Sequence, residues 1–195
     1  MSGADPEAPR RRRLLPSAVW SGALMAFVSL CHAAAAAGDA ALEFAVKATF
    51  ICKFAPFVEW PPAALPARQS PISICIVGND RVSELLSKAA AGQHAGDHPL
   101  SVRHVHSVAA DGTCQIAYIA EADPTAVSAQ LDALRGTPVL TVTDADRTPG
   151  AMGIIGFTIK DHRVRFRVDD ATAEAGGLEI SSKLLNLAYS VRQRR

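Results

Sequence analysis

Four consecutive arginines, Arg10 to Arg13, lead into an apolar stretch over residues 18–30 and then a small-residue tract over residues 33–37. A basic start, a short apolar run and an A-x-A-like zone together form a cleavable export signal. An uncleaved membrane anchor is the competing reading, but the apolar run falls short of the roughly 20 residues a spanning helix needs. Val28, Ser29 and Leu30 precede Cys31, so the small residue that lipoprotein processing requires is missing there. The pair Arg11 and Arg12 also resembles a twin-arginine signal, which leaves the export route open. The expected organisation is a signal peptide over residues 1–37 and one domain over residues 38–195, delivered to the periplasm. Disulfides form and persist in an oxidising compartment of that kind.

Residues 38–195 suit a single domain with one buried core. Of 20 basic residues the leader holds four, leaving 16, and of 19 acidic residues it holds Asp5 and Glu7, leaving 17. A nearly neutral chain lacks the basic face that neutralises phosphates, so no nucleic-acid partner is expected. Arg163, Arg165 and Arg167 alternate with Val164, Phe166 and Val168. That alternation reads as the wet face of a strand rather than an anion site.

Hydrophobic periodicity sets the order of elements. From Leu42 onward, Val46, Phe50, Phe54 and Phe57 or Val58 recur at helical spacing, with Pro56 as a kink and Pro61-Pro62 as a stop. Residues 72–77 are rich in β-formers and run into Gly78-Asn79-Asp80, a turn and cap before a helix carrying Val82, Leu85 and Leu86. Residues 99–108 alternate as a second strand, 115–120 supply a third, 124–134 a helix closed by Gly136, and 138–143 a fourth strand. Residues 154–159 and 164–168 flank a short turn and predict a hairpin at the sheet edge. Residues 178–191 carry a largely helical pattern that should dock on the core. The predicted fold class is α/β: a small Rossmann-like open sheet flanked by helices, with a C-terminal β-hairpin and a closing helix.

Several blocks in order then resemble a known family. Val46-Lys47-Ala48, Phe54-Ala55-Pro56-Phe57-Val58-Glu59-Trp60-Pro61, Ile74-Cys75-Ile76-Val77-Gly78 and Cys114-Gln115-Ile116-Ala117-Tyr118-Ile119 are similar to the YfiR family of periplasmic regulators. Pro138-Val139-Leu140-Thr141-Val142, Ile155-Gly156-Phe157 with Val164-Arg165-Phe166, and Ala175-Gly176-Gly177-Leu178 with Ile180-Ser181-Ser182-Lys183 continue the likeness over nearly the whole exported chain. The resemblance implies a non-enzymatic homodimer without cofactors. It would bind and restrain the periplasmic sensor region of an inner-membrane diguanylate cyclase, lowering cyclic-di-GMP and biofilm output. It also implies that the strands carrying Cys75 and Cys114 are neighbours, so that these cysteines form a disulfide and regulation can follow redox state. Two buried reduced thiols are the alternative. Cys52 stands where the family usually has an aromatic residue, and reads as a small buried hydrophobe.

The contact surfaces expected from this reading are the segment with Phe57, Trp60 and Pro61 and the carboxy-terminal helix, although Phe54, Phe57 and Trp60 equally suit a core. An alternative function is a small-molecule or metal sensor serving a histidine kinase or another envelope receptor. For a small-molecule effector the candidate residues are Asn79, Asp80 and Asp144, because open α/β sheets bind ligands beyond the carboxyl ends of their strands. Asn79 or Asp80 as a helix cap, and Asp144 as a turn former, compete with that role. His104 and His106 occupy alternate strand positions on one face, a geometry that can hold a divalent metal, but His94 and His98 sit in an Ala/Gly-rich loop and no metal site is assigned. Ser181, Ser182 and Lys183 point in different directions on a helix and provide no serine–lysine pair. Gly150, Gly153 and Gly156 precede or enter a strand rather than opening a helix, so they serve turns and close packing.

Overall fold

A computed structural model describes residues 39–78 and 80–194, with the side chains of Asp80 and Arg81 left out. The expected signal peptide therefore lies outside the described residues, as does Asn79. The chain divides into two compact units, residues 1–40 and 41–195, and the second is the subject here.

Helix α1 runs to residue 54 and ends in a 3-10 turn, Ala55–Phe57, which Pro56 enforces by removing an amide donor. The helix thus stops before Pro61-Pro62, and the intervening residues form a short strand, β1 (Val58–Glu59). Next come β2 (Ile72–Gly78), α2 (Asp80–Ala90), β3 (His94–Ala95), β4 (His98–Val105), β5 (Ile116–Ala120), α3 (Pro124–Ala133) and β6 (Leu140–Asp144). The order closes with β7 (Ile155–Lys160), β8 (Arg163–Asp169), α4 (Asp170–Ala175), β9 (Glu179–Ile180), α5 (Ser182–Leu187) and β10 (Ser190–Arg192). Asp123 caps α3 through the Thr125 amide, with Pro124 at the first helical position where no donor is needed.

The main sheet has the order β10-β8-β7-β6-β5-β2-β4-β3. Pairing is parallel from β4 through β7, antiparallel between β7 and β8, and parallel again between β8 and β10. A parallel sheet covered on both faces needs strands that are apolar throughout, and β2 and β6 are buried along nearly their whole length. On one face Ile74, Ile76, Ile116, Tyr118, Leu140, Val142, Ile155 and Phe157 pack with α1 and α2. Phe50 and Phe54 of α1 meet Phe157 and Phe166 there, with ring centroids 5.1–6.3 Å apart. On the other face Cys75, Val77 and Ala117 pack with Leu134, while Ile119 packs with Val127 of α3 and Ala151.

Three expectations change. The β7–β8 hairpin does not end the sheet, because β10 adds outside it, with Val191 beside Val168. The carboxy-terminal segment is helical only over Ser182–Leu187, since Ala188 is already extended and the Tyr189 amide donates to the Phe166 carbonyl on the open edge of β8. The strand edge offers backbone partners that one more helical turn, with Leu187 and Tyr189 exposed, would not replace. His94 and His98 also lie in a small hairpin, β3 against β4, rather than in a loop.

Candidate functional site

Cys75 and Cys114 are joined by a disulfide across the β2–β5 junction, with their Cα atoms 5.8 Å apart. Cys114 lies two residues before β5, the strand that pairs in parallel with β2, and the chain entering β5 brings it to Cys75. Val77, Val108, Leu134 and Val139 enclose the bridge.

Beside it, buried Gln115 acts as a junction that the sequence did not single out. Its side chain accepts from the Ser73 amide and donates to the Ala64 and Gly112 carbonyls. Its backbone carbonyl accepts from the Leu140 amide and from Trp60 Nε1, at 2.9 and 3.3 Å. Trp60 is half-buried, so its ring covers the core while its indole nitrogen ties the β1 segment to the disulfide region. Phe57 and Pro61 are also half-buried, whereas Phe54 is fully buried in the aromatic cluster.

The two expected contact segments are brought together. Strand β1 pairs antiparallel with β9, setting Val58 opposite Ile180, and the Phe57 carbonyl accepts from the Ser181 amide. Ser181 in turn caps α5 through the Leu184 amide, which gives its hydroxyl a structural task. At the end of α5, Leu187 and Tyr189 are 65% and 58% exposed.

At the carboxyl ends of the strands, β2 and β5 approach each other closely. Gly78 ends β2 opposite Ala120 of β5, and its positive φ of 97° suits glycine. A Cβ there would meet the Ala120 backbone at 2.9 Å, so the point where strand order reverses is closely filled. The Asp144 carboxylate faces α1, where it accepts from Lys47 Nζ at 2.5 Å and pairs with Arg147 at 3.2 Å. Glu43 also pairs with Lys47, whose side chain is 1% exposed. Burial, and next the Asp144 charge, push the Tyr118 hydroxyl above its ordinary pKa. Asp146 accepts from the Thr158 hydroxyl and the Ile159 amide. Of the ligand candidates, Asp144 is thus engaged by cations of the chain itself, while Asn79 and the side chain of Asp80 lie outside the described residues.

The histidines bond separate carbonyls: His94 that of Gly92, His98 that of Ser70, and His104 that of Gly78. Among the described residues no cluster of three or more His, Cys, Asp or Glu side chains could hold a metal. Two clefts lie toward the other end of the sheet. One of about 310 Å³ sits among Leu131, Arg135, Thr141, Gly153, Thr172 and Arg192, and one of about 130 Å³ adjoins Cys114, Gln115 and Ala64. No helix among the described residues is long and apolar enough to cross a membrane.

The described residues form a disulfide-stapled α/β sheet with a small second ladder, β1 against β9, beside it. The chain belongs to the YfiR/HmsC-like family, whose sequence model matches residues 44–189. A search of curated proteins finds none that matches.

Proposed function

We propose that this chain works in the periplasm as a negative regulator, binding the sensor region of an inner-membrane diguanylate cyclase and lowering cyclic-di-GMP signalling. Family membership across residues 44–189 carries the reading. The Cys75–Cys114 disulfide suits an oxidising compartment, and reduction of that bond is the natural route for a redox response.

The contact surface in this proposal is the ladder of β1 and β9 with the chain that follows it. Phe57, Trp60 and Pro61 flank one strand of this ladder, and Leu187 and Tyr189 follow the other. Tyrosine, tryptophan and phenylalanine are favoured at interface centres, and the exposed pair Leu187 and Tyr189 supplies the unsatisfied apolar area. The regulator is taken to act as a homodimer, as the family likeness implies.

Deleting the gene and measuring cyclic-di-GMP, together with crosslinking capture from the envelope, tests the proposal. The expected result is a raised nucleotide level, restored by the wild-type gene but not by Leu187→Asp/Tyr189→Asp, and a captured diguanylate cyclase. An unchanged level with a different captured membrane protein would redirect the assignment.

A further inference from the structure

We infer that the outward face of β8 is a docking ladder for an extended acidic segment of a protein partner. Phe166 and Val168 are buried in the main core and Val164 packs against it, so the alternating Arg163, Arg165 and Arg167 project from the opposite face. None of the three has an ion-pair partner among the described residues. The acidic groups at the margins are committed elsewhere: Asp169 to Arg192, and Asp146 to Thr158 and Ile159.

Arg167 supplies the second observation. Its Nε is shielded from solvent and has no hydrogen-bond acceptor, and glycine, Gly156, stands opposite it on β7. A buried donor without an acceptor is costly, and this shielded Nε is beyond the reach of a docked chain, so Arg167 contributes charge to the face through the rest of its guanidinium.

The spacing indicates the form of the partner. Alternate residues on a strand repeat about every 6.8 Å, the same repeat that alternate side chains of an extended acidic segment would present. Guanidinium groups bind carboxylates bidentately, and three in single file along one strand suit a chain better than a plane of headgroups. Lys160 at the hairpin lies 5.9 Å from the ring centroid of exposed Tyr189, which makes this basic face continuous with an exposed aromatic. The outer edge of β10 has no strand partner among the described residues, and it lies next to the same ladder. Residues 38–195 as a whole are close to neutral, so the cationic character is local. The inference goes beyond the regulatory reading, because it concerns the chemistry of the partner surface whichever membrane protein carries it.

The test titrates the purified, disulfide-bonded protein with a synthetic peptide alternating glutamate and threonine, and with its glutamine counterpart, at low salt. Sedimentation with phosphatidylglycerol vesicles runs in parallel. The glutamate peptide should bind, the glutamine peptide should not, and Arg163→Glu/Arg165→Glu should weaken binding about tenfold or more with the unfolding temperature unchanged. Should that double variant unfold, Arg165→Gln provides the same readout from an exposed position. Equal binding of both peptides, unchanged affinity in the variant, or vesicle binding without peptide binding would overturn the inference. None of these outcomes bears on whether the chain restrains a cyclase, which the envelope experiment decides separately.

Discussion

Lys47 of α1 and Asp144 at the end of β6 form a buried ion pair at 2.5 Å between residues 97 apart in sequence. Glu43 and Arg147 extend the pair into a four-membered network. The ammonium lies 5.9 Å from the ring centroid of Phe157 and 5.8 Å from that of Phe44, so the pair crosses the apolar layer between helix and sheet. It fixes the position of α1 along the sheet, because a slipped helix would leave a buried charge unpaired.

Removing one partner of this pair should therefore be costly. Asp144→Asn is expected to lower unfolding free energy by about 3 kcal/mol, because the buried Lys47 then keeps only the partly exposed Glu43, and Lys47→Met/Asp144→Leu by clearly less, since the double change leaves no buried ammonium. Urea unfolding of the two variants checks the order. Equal losses would show that the lysine charge is not desolvated in the native state.

The disulfide closes a loop of 39 residues. Chain entropy alone makes that worth roughly 3–4 kcal/mol, provided the unfolded chain is flexible. Cys75→Ala/Cys114→Ala should lose that amount in denaturant unfolding. Non-reducing peptide mapping of exported protein should join the two cysteine peptides, and free thiols at both positions would remove the bridge.

Burial pushes the free thiol of Cys52 from its usual 9.0 up to about 11, with the Lys53 charge opposing only weakly. The folded state thus holds the proton more tightly than the unfolded state. This favours the fold below pH about 9 and is lost as pH rises toward about 11. Alkylation of Cys52 in the native protein should be slow at pH 8 and become fast only on unfolding. Rapid native alkylation at that pH would contradict its burial.

Two neighbouring glycines should respond differently to alanine. A Cβ on Gly153 would sit 2.7 Å from the Thr141 carbonyl oxygen, a backbone atom held in β6, whereas on Gly156 it would meet Met152 Cγ at 2.7 Å. A methionine side chain can move aside and a strand carbonyl cannot. Gly153→Ala should cost about 1–3 kcal/mol and Gly156→Ala less, as read from thermal unfolding.

The stability of Trp60 variants separates packing from contact. The indole covers the core and donates to Gln115, so Trp60→Ala should destabilise the protein by about 2–4 kcal/mol. Tyr189→Ala, at an exposed site, should change the unfolding temperature little. Partner capture lost in Tyr189→Ala with an unchanged unfolding temperature would place the contact at the carboxy-terminal end.

Much of the fold was legible because local patterns and tertiary demands agree. The apolar runs at 72–77 and 138–143 had to be strands buried on both faces, and both are, within two residues of the expected ends. The tail misled because its apolar residues have a helical period, yet the open edge of β8 supplies backbone partners that turn 190–192 into strand. Lys47 left a signal that passed unused: a lysine on the helical stripe of Phe44, Ile51 and Phe54 demands a buried counter-ion. Nothing local points to Gln115, whose role comes from hydrogen bonds to residues up to 55 positions away.

Short-range chemistry in the chain was enough to determine the main strands and the helices between them, and family likeness supplied the pairing of Cys75 with Cys114. Only the tertiary structure decided that Asp144 answers Lys47, that β1 meets β9, and that three arginines share one face of β8. Alternation and propensity act over a few residues, whereas counter-ions, edge pairing and exposure depend on which distant segments the folded sheet brings together.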